Sequence, residues 1–461
     1  MGQFDSMHFL SLKNLGQLLL LAVLCASAVN ADEFQRGIDA FNNDDYAAAL
    51  VAWMPLAEDG DLNAMYNIGL IYDEGLGVET DMVRALRWYL APAAEGDVAA
   101  QFNMATIYDF GKGVPEDNEK ALYWYAAAAR QADEQAQFNL GIMYANGEGV
   151  EIDHDESMKW YRLSADQGHA PAQYNLAHMF DVGAVIPEDN HEAMKWYLKA
   201  AEQDDADAQF AIASMYDTGD GFIEDDVLAI KWYELAAGQG LVAAQFNLAI
   251  MYDVGEGVPE DNLRAVKWYE AAGEQGHQNA QLNLGLMYET GEGVAADPDV
   301  AMQWYRRAAD QGLTDAQYAV ALMFDEGAGI EEDDVEAIGW YMRAAKQGDA
   351  DAQNNLGAMY DAGEGIPEND AEAVRWYLLA AEQGNLIAQN NLGAMYFAGE
   401  GIEENQVEAY KWFFISGELG NDDGRGNSEF AGESMMSGEI LKAKMLGREW
   451  LAEFENSGAI D

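Results

Sequence analysis

The sequence predicts an all-α fold, an αα-hairpin solenoid, because aromatic, small and glycine residues recur at one fixed spacing. Tryptophan returns every 36 residues through most of the 461-residue chain, and an aromatic residue follows each time. Such a period is typical of stacked helical units, each too small to bury its apolar face alone. The tryptophans are Trp88, Trp124, Trp160, Trp196, Trp232, Trp268, Trp304, Trp340, Trp376 and Trp412.

Each period contains a helix around its tryptophan, here called helix B. Ala121, Trp124, Tyr125 and Ala129 show its buried stripe, with spacing i, i+3, i+4 and i+8. A column of Asp or Asn precedes the stripe and supplies N-cap acceptors. The caps are Asp81, Asp117, Asp153, Asp189, Asp225, Asp261, Asp297, Asp333, Asn369 and Asn405. A Glu three residues on gives five of them capping-box spacing, namely Asp153, Asp189, Asp333, Asn369 and Asn405.

A glycine column marks the end of helix B, where a left-handed residue closes the last turn. Ala132 and Asp204 interrupt this column. The glycines are Gly60, Gly96, Gly168, Gly240, Gly276, Gly312, Gly348, Gly384 and Gly420.

A second helix, helix A, precedes helix B in each repeat. In the copy at residues 100–108, positions 100, 104, 107 and 108 form its apolar stripe. One column of helix A holds only Gly or Ala, from Gly69 to Gly393, which lets a second helix approach closely. Two glycines follow helix A and supply positive φ for the turn, and only Val185 replaces the second one.

These columns resemble the Sel-one-like repeat, a relative of the tetratricopeptide repeat. The matching motifs are Ala-Gln-x-Asn-Leu-Gly-x-Met-Tyr, Gly-x-Gly-Val, and a capped helix that carries Ala-x-x-Trp-Tyr and ends in Ala-Ala-x-Gln-Gly. The resemblance covers about ten repeats over residues 61–420. It implies a right-handed αα superhelix that binds other proteins.

The two ends of the repeat array are expected to be capped. Residues 32–60 are predicted to form N-terminal capping helices, the second of them shortened by Pro55. Residues 421–461 are predicted to form a loop, rich in Gly, Asn, Asp and Ser, and then a C-terminal capping helix. The predicted apolar face of that helix is Ile440, Leu441, Met445, Leu446, Trp450, Leu451 and Phe454.

Residues 1–31 have the features of a secretory signal peptide. An apolar stretch at 18–26, too short to span a bilayer, precedes Ala31 as the expected cleavage site, with Ala28 as the alternative. Cys25, the only cysteine, lies inside this segment, so the mature chain is expected to have no disulfide. With the family resemblance, these features predict a periplasmic or secreted protein of a Gram-negative bacterium.

The chain is strongly acidic, with 24 Lys plus Arg against 82 Asp plus Glu and a net charge of −58. This balance argues against a nucleic-acid partner and against an anionic membrane surface, since binding phosphates requires cationic contacts. The acidity fits attraction of a basic partner or solubility in a saline medium. The simpler explanation is a solvated outer face together with helix caps.

The sequence predicts no catalytic, cofactor or metal site. The Gly-x-Gly pairs follow a helix rather than a strand, which does not fit a phosphate-binding loop. Four histidines lie between residues 154 and 191, but their spacing matches no metal-ligand motif, and His178 is expected on an exposed helix A face. The acid pairs lack the order of a calcium-binding loop.

Two columns of helix A are the candidate partner-binding residues, because they point away from the apolar stripe. By resemblance, helix A lines the concave side of the superhelix. The aromatic column offers either a binding groove or packing between successive A helices. The asparagine column offers hydrogen bonds to an extended peptide or to the loop of a neighbouring repeat. The candidates are Tyr66, Phe102, Phe138, Tyr174, Phe210, Phe246 and Tyr318, with Asn67, Asn103, Asn139, Asn175, Asn247 and Asn283.

These observations favour a non-catalytic exported scaffold that binds a protein or peptide with basic residues through helix A. One alternative is a cell-envelope enzyme, which would need a polar pocket that departs from the repeat. The departures Ala132, His178, Val185 and Asp204 are too scattered along the sequence to supply one. The other alternative is a regulator of an envelope enzyme that acts on peptidoglycan or polysaccharide.

Overall fold

The computed structural model describes residues 30–183 and 187–456 of the chain. All regular secondary structure within these ranges is helical, and successive helices pack as pairs, which confirms the predicted all-α solenoid. Three features from the sequence, the signal segment up to residue 29, its Cys25 and the substituted turn position Val185, lie outside the described residues.

The chain divides into two compact units, Met1–Ile223 and Glu224–Asp461. In the first unit, residues 30–42 form α1. The other helices of this unit are α2 (Tyr46–Glu58), α3 (Leu62–Glu74), α4 (Met82–Ala94), α5 (Val98–Asp109), α6 (Asn118–Ala129), α7 (Glu134–Asn146), α8 (His154–Asp166), α9 (Ala170–Val182), α10 (Asn190–Ala201) and α11 (Ala206–Thr218). From α3 onward, odd-numbered helices are A helices and even-numbered helices are B helices.

The second unit continues the same alternation. Its helices are α12 (Asp226–Gly238), α13 (Val242–Val254), α14 (Asn262–Glu274), α15 (Gln278–Thr290), α16 (Pro298–Asp310), α17 (Thr314–Glu326), α18 (Asp334–Lys346), α19 (Ala350–Ala362), α20 (Asp370–Glu382), α21 (Leu386–Ala398), α22 (Gln406–Glu418), α23 (Asp422–Gly432) and α24 (Ser437–Asn456). None of the helices in the described ranges is long and apolar enough to cross a membrane.

The predicted N-caps of helix B are formed, but the capping box is only half formed. The Asp153 carboxylate accepts from the backbone N–H of Glu156 at 3.0 Å, as predicted. The second half would need the Glu156 side chain to accept from the backbone N–H of Asp153. That N–H instead donates to the Tyr144 carbonyl of α7 at 2.9 Å, and Glu156 pairs with Lys159. The backbone N–H of the N-cap residue is therefore bonded within the tight turn from helix A to helix B. It is not available for the second hydrogen bond of a capping box.

The repeated glycines fall into two groups with different structural roles. Gly168, after helix α8, has a φ of +103° and no atom within 4 Å of where a Cβ would lie, so conformation alone requires it. Gly141, inside helix α7, would instead place a Cβ 2.5 Å from the ring of Tyr161. Ala132 and Asp204, which interrupt the first column, still have positive φ values of 65° and 63°. These two residues carry backbone strain that glycine would not.

The aromatic pair of helix B divides its packing between two repeats. Tyr125 is fully buried in the core of its own repeat. Trp124 is half-buried and packs both against this core and against that of the preceding repeat, around Tyr89. The tryptophans are therefore contacts between repeats as much as core residues. The five buried tryptophans of helix B each have a Lys or Arg over the ring, as where Lys199 lies 3.7 Å from the ring centroid of Trp196.

The N-terminal cap differs from the prediction at Pro55. Helix α2 continues through this proline and has 13 residues, the length of most other helices in the array. Trp53, 1 % exposed, lies in the centre of the cap, where its indole Nε1 donates to the carbonyl of Phe34 at 3.1 Å. Packing of this large side chain against α1 outweighs the backbone hydrogen bond that Pro55 cannot make.

The C-terminal cap also differs, since the predicted loop at residues 421–433 contains helix α23. Asn421 caps it, and Gly424 lies so close to Ser416 that an added Cβ would be 2.7 Å away. Close packing on α22 thus stabilises a segment of low helix propensity. The next helix, α24, does form, and it packs through Ala443 and Gly447 together with Ile440, Trp450 and Leu451 of the predicted apolar face. Leu441 and Met445 of its predicted apolar face are each 62 % exposed.

Candidate functional site

The aromatic candidates on helix A are half-buried and contact helix B of their own repeat. The ring centroid of Phe102 lies 5.7 Å from that of Tyr125, and Tyr174 lies 5.6 Å from Tyr197. These contacts differ from the packing between successive A helices considered above. The same contact joins Tyr66 to Tyr89, Phe138 to Tyr161, Phe246 to Tyr269 and Tyr318 to Tyr341. Phe210 is half-buried at the equivalent position of α11.

The asparagine candidates donate to the tyrosine of the preceding repeat. Asn103 Nδ2 lies 3.2 Å from the hydroxyl of Tyr89, and Asn247 Nδ2 lies 3.1 Å from that of Tyr233. Burial raises the pKa of Tyr125, Tyr161 and Tyr269, and Asn139, Asn175 and Asn283 at the equivalent positions partly offset that rise. Asn67, in the first A helix, is half-buried at the equivalent position. The amide nitrogens therefore link neighbouring repeats, and the bond runs to a side chain of helix B.

Most tyrosines of this column also donate to a carboxylate at the end of helix A. Tyr125 donates to Asp109 at 3.0 Å, and Tyr305 donates to Glu289 at 2.6 Å. The other bonds of this kind join Tyr89 to Asp73, Tyr197 to Asp181, Tyr269 to Asp253, Tyr341 to Asp325 and Tyr377 to Asp361. The result is an Asn–Tyr–carboxylate chain that recurs from repeat to repeat beside the A helices. The sequence did not predict it.

Burial sets the electrostatics of this chain. It raises the pKa of the Asp109 carboxyl, and the hydrogen bond from Tyr125 only partly offsets that rise. The pKa values of Asp73 and Asp361 are raised for the same reason. Burial also raises the pKa of the Tyr125 hydroxyl, so it remains a donor to Asp109 at neutral pH. The chain is thus a network of fixed hydrogen bonds with partly buried negative charge.

A second polar network runs through the interior and fixes the stacking of repeats. Gln101 of α5 donates to the Ala93 carbonyl at 2.8 Å, and Gln131 donates to Gln101 Oε1 at 3.0 Å. The glutamine pair recurs in both units. The further pairs are Gln167 with Gln137, Gln203 with Gln173, Gln275 with Gln245, Gln311 with Gln281, Gln347 with Gln317 and Gln383 with Gln353. These buried amides are structural.

Positive charge is distributed unevenly between the two helices of the repeat. The ten A helices from α3 to α21 contain no Lys or Arg, whereas they carry acids such as Asp207, Asp315 and Asp351. The cations lie mainly on the B helices, where residues such as Arg307 and Arg343 cover tryptophan rings at 4.3 and 4.1 Å. The A helices therefore present negative and aromatic groups, with Lys112 of the turn after α5 as a cation beside them, 5.8 Å from the ring centroid of Phe110.

Three clefts open in the first unit between successive A helices. The α5–α7 cleft has a volume of about 430 Å³ and contains Asp109, Glu116 and Glu148. The α9–α11 cleft, about 270 Å³, contains Asp181, Asp207 and Asp220. Between them, the α7–α9 cleft of about 250 Å³ is lined mainly by apolar groups, and its polar residues are His154, Ser157, Tyr161, Asn175 and His178.

His154 and His178 line the same cleft, whereas His277 lies elsewhere in the fold. His178 is exposed on α9, as predicted, and lies between the α7–α9 and α9–α11 clefts. His277 is an N-cap, and its Nδ1 accepts from the backbone N–H of Ala280 at 3.2 Å. Within residues 30–183 and 187–456, no three His, Cys, Asp or Glu side chains are grouped so that they could hold a metal ion.

Comparison with known proteins identifies the repeat. The Sel1 repeat family matches residues 62–97, 98–133, 134–169, 170–205, 206–241, 242–277, 278–313, 314–349, 350–385 and 386–421. No curated protein matches the chain.

Two solved bacterial structures are similar to this chain. One is c5321 of uropathogenic Escherichia coli, a protective antigen with the same repeat fold; the match is 32% identical, covers 87% of this chain and 94% of c5321, and has a TM-score of 0.64. The other is a Sel1 repeat protein of Oxalobacter formigenes, 32% identical over 67% of this chain and 90% of that one, with a TM-score of 0.54. The chain belongs to the Sel1 repeat family.

Proposed function

We propose that this protein is a non-catalytic, exported scaffold whose A helices bind a protein or peptide rich in basic residues. Sel1 repeats generally serve protein–protein interaction, which gives the class of function. The absence of Lys and Arg from all ten A helices supports a basic partner. Acidic residues spread evenly over the surface would serve solubility alone. A repeat in which one helix has no Lys or Arg favours binding of a basic partner through that helix.

The A side offers a basic peptide two kinds of contact. Carboxylates in the α5–α7 and α9–α11 clefts can accept hydrogen bonds from Lys or Arg side chains. The half-buried rings of Phe102, Phe138 and Tyr174 can pack against the aliphatic part of those side chains or receive their charged groups. The amide nitrogens of the asparagine column are used within the fold, so they fix the position of these rings and carboxylates more than they offer free donors.

Export to the periplasm or beyond the outer membrane remains part of this proposal. Its support is the apolar segment at 18–26 with Ala31 after it, and the bacterial origin of both similar structures. Cell fractionation of a Gram-negative host that expresses the full chain checks this part. A chain recovered uncut from the cytoplasm would contradict it.

The binding part can be tested with a defined probe. Fluorescence anisotropy would follow a labelled peptide, Lys-Lys-Gly-Ser-Gly-Lys-Lys, added to the chain from residue 32 at low salt. Asp207→Lys, in the α9–α11 cleft, is expected to weaken binding about tenfold, because it reverses a charge within a Debye length of the peptide. Glu119→Lys, exposed on α6, makes the same charge change on a B helix and should weaken binding less than twofold. Equal weakening by both variants would contradict binding through the A helices.

A further inference from the structure

We infer that the α7–α9 cleft holds one apolar side chain of the partner, of about the size of phenylalanine, between two basic side chains. This inference rests on the proposed function and specifies the partner further. It depends on a local departure from the repeat that the pattern along the sequence does not reveal. Three residues that depart from the repeat pattern line the same cleft, and each comes from a different helix: Ala145 from α7, Ser157 from α8 and His178 from α9.

Ala145 is the decisive substitution. In the repeats on either side, the equivalent residues Asp109 and Asp181 accept from a helix B tyrosine at 3.0 Å. Ala145 provides no carboxylate for Tyr161, and the aromatic ring of Tyr161 remains a wall of the cleft. Asn175 and Ser157 line the cleft beside Tyr161 instead. The position that is negatively charged in the neighbouring repeats is therefore apolar here.

The rest of the cleft fits an uncharged occupant. Met179 and Val182 form one side of it, and Ala145 and Tyr161 form another. The hydroxyl of Ser157 donates to the Gly141 carbonyl at 2.8 Å, which removes its donor from the cleft. A charged side chain would lose hydration here without a partner of opposite charge, whereas an apolar one would gain by leaving water.

The neighbouring clefts determine what flanks this apolar side chain. The α5–α7 cleft has Asp109, Glu116 and Glu148, and the α9–α11 cleft has Asp181, Asp207 and Asp220. All three clefts belong to the same compact unit and follow one another along it. Charge complementarity therefore selects a partner in which an apolar residue lies between basic residues.

Two peptides separate this inference from the proposed function. The basic peptide with Ser at its centre is compared with one that has Phe there, both with the chain from residue 32. The Phe peptide is expected to bind at least tenfold more tightly. Binding of both peptides with equal affinity would overturn the apolar cleft while leaving the basic partner intact. Failure of both to bind at low salt would overturn the proposed function itself.

Ala145→Asp provides the sharper test, because it restores the residue found in the neighbouring repeats and the fold accommodates it there. The new carboxylate should bond Tyr161 and reduce the preference for Phe over Ser to less than twofold. Ala47→Asp is the matched control, since it makes the same change at an exposed position of α2 that lines none of the three clefts. It should leave the Phe preference unchanged. A full Phe preference in the Ala145→Asp variant would overturn the inference.

Discussion

Asn103 donates its side-chain amide to the hydroxyl of Tyr89, which belongs to the preceding repeat, across 3.2 Å. Tyr89 in turn donates to Asp73 at 3.0 Å, so a single hydroxyl joins two repeats and the two helices of one repeat. Because these tyrosines are almost fully buried, their hydroxyls have few other partners to use. The network therefore sets the relative position of neighbouring helices as well as adding stability.

Removing such a hydroxyl should destabilise the array locally. We expect Tyr341→Phe to cost about 1–3 kcal/mol, because Asn355 and Asp325 each lose a partner at 3.1 and 2.9 Å. Hydrogen exchange of amides in α17 to α19 measures the loss. Tyr123→Phe removes a hydroxyl from a residue that is 65 % exposed and should have no effect. Similar exchange rates in the wild type and Tyr341→Phe would show that the network contributes no stability.

Relieving backbone strain should stabilise the protein. Ala132 and Asp204 have φ values of 65° and 63°, where every other residue of the column is a glycine. Ala132→Gly and Asp204→Gly are each expected to add about 1 kcal/mol, since glycine adopts positive φ without a Cβ clash. Urea titration followed by circular dichroism measures the change. Gly168→Ala, where space is open, should lower stability by a similar amount, and a gain there would contradict the explanation.

One histidine should make stability depend on pH. Burial lowers the pKa of His277 below its ordinary value of 6.5, and its Nδ1 must stay unprotonated to cap α15. As the pH falls below about 6.5, the unfolded chain takes up a proton more readily than the folded one, so this group's contribution to stability is lost. Melting temperatures at pH 7.5 and 5.5 should therefore differ less in His277→Asp, which copies the cap Asp349, than in the wild type. Equal differences would contradict the role of His277.

The half-buried carboxylate of Asp109 should have the opposite effect on how stability depends on pH. The pKa of Asp109 is raised by burial above its ordinary 3.8, so the folded chain binds a proton at higher pH than the unfolded one. Its ionisation opposes folding at neutral pH, and that cost fades as the pH falls through its folded pKa. Asp109→Asn keeps an acceptor for Tyr125 and removes the charge. The variant is expected to be more stable than the wild type at pH 7, with a smaller difference at pH 4. A difference that does not change with pH would contradict this.

The sequence predicted the architecture well because the fold is built from contacts that repeat along the chain. Caps, turn glycines and buried stripes all depend on residues a few positions apart. The Asn–Tyr–carboxylate chain escaped notice because its partners are 14 and 16 residues apart and meet only when three helices pack. An Asp at the end of a helix, such as Asp73, otherwise resembles an ordinary surface residue.

The ends and the clefts were harder to predict for related reasons. Helix α23 has poor intrinsic helix propensity, and its packing on α22 through Gly424 is a tertiary effect. Ala145 did not stand out because alanine is common at many helix positions. Only the folded chain shows that it lies in one cleft with Ser157 and His178, replacing a charge that its neighbours keep.

The glutamine pairs recur in the same form from repeat to repeat, and this bears on how such a chain can change its length in evolution. Gln311 bonds Gln281 and Gln347 bonds Gln317 with the same spacing of 30 residues, each pair lying within one repeat, and Gln317 and Gln347 bond carbonyls of the preceding repeat. If recombination removed residues 278–313, the flanking repeats would meet with matching donors and acceptors, and no buried amide would be left unpaired at the junction. Loss or duplication of a whole repeat is therefore tolerated by the interior, so that evolution can adjust the reach of the binding surface one repeat at a time.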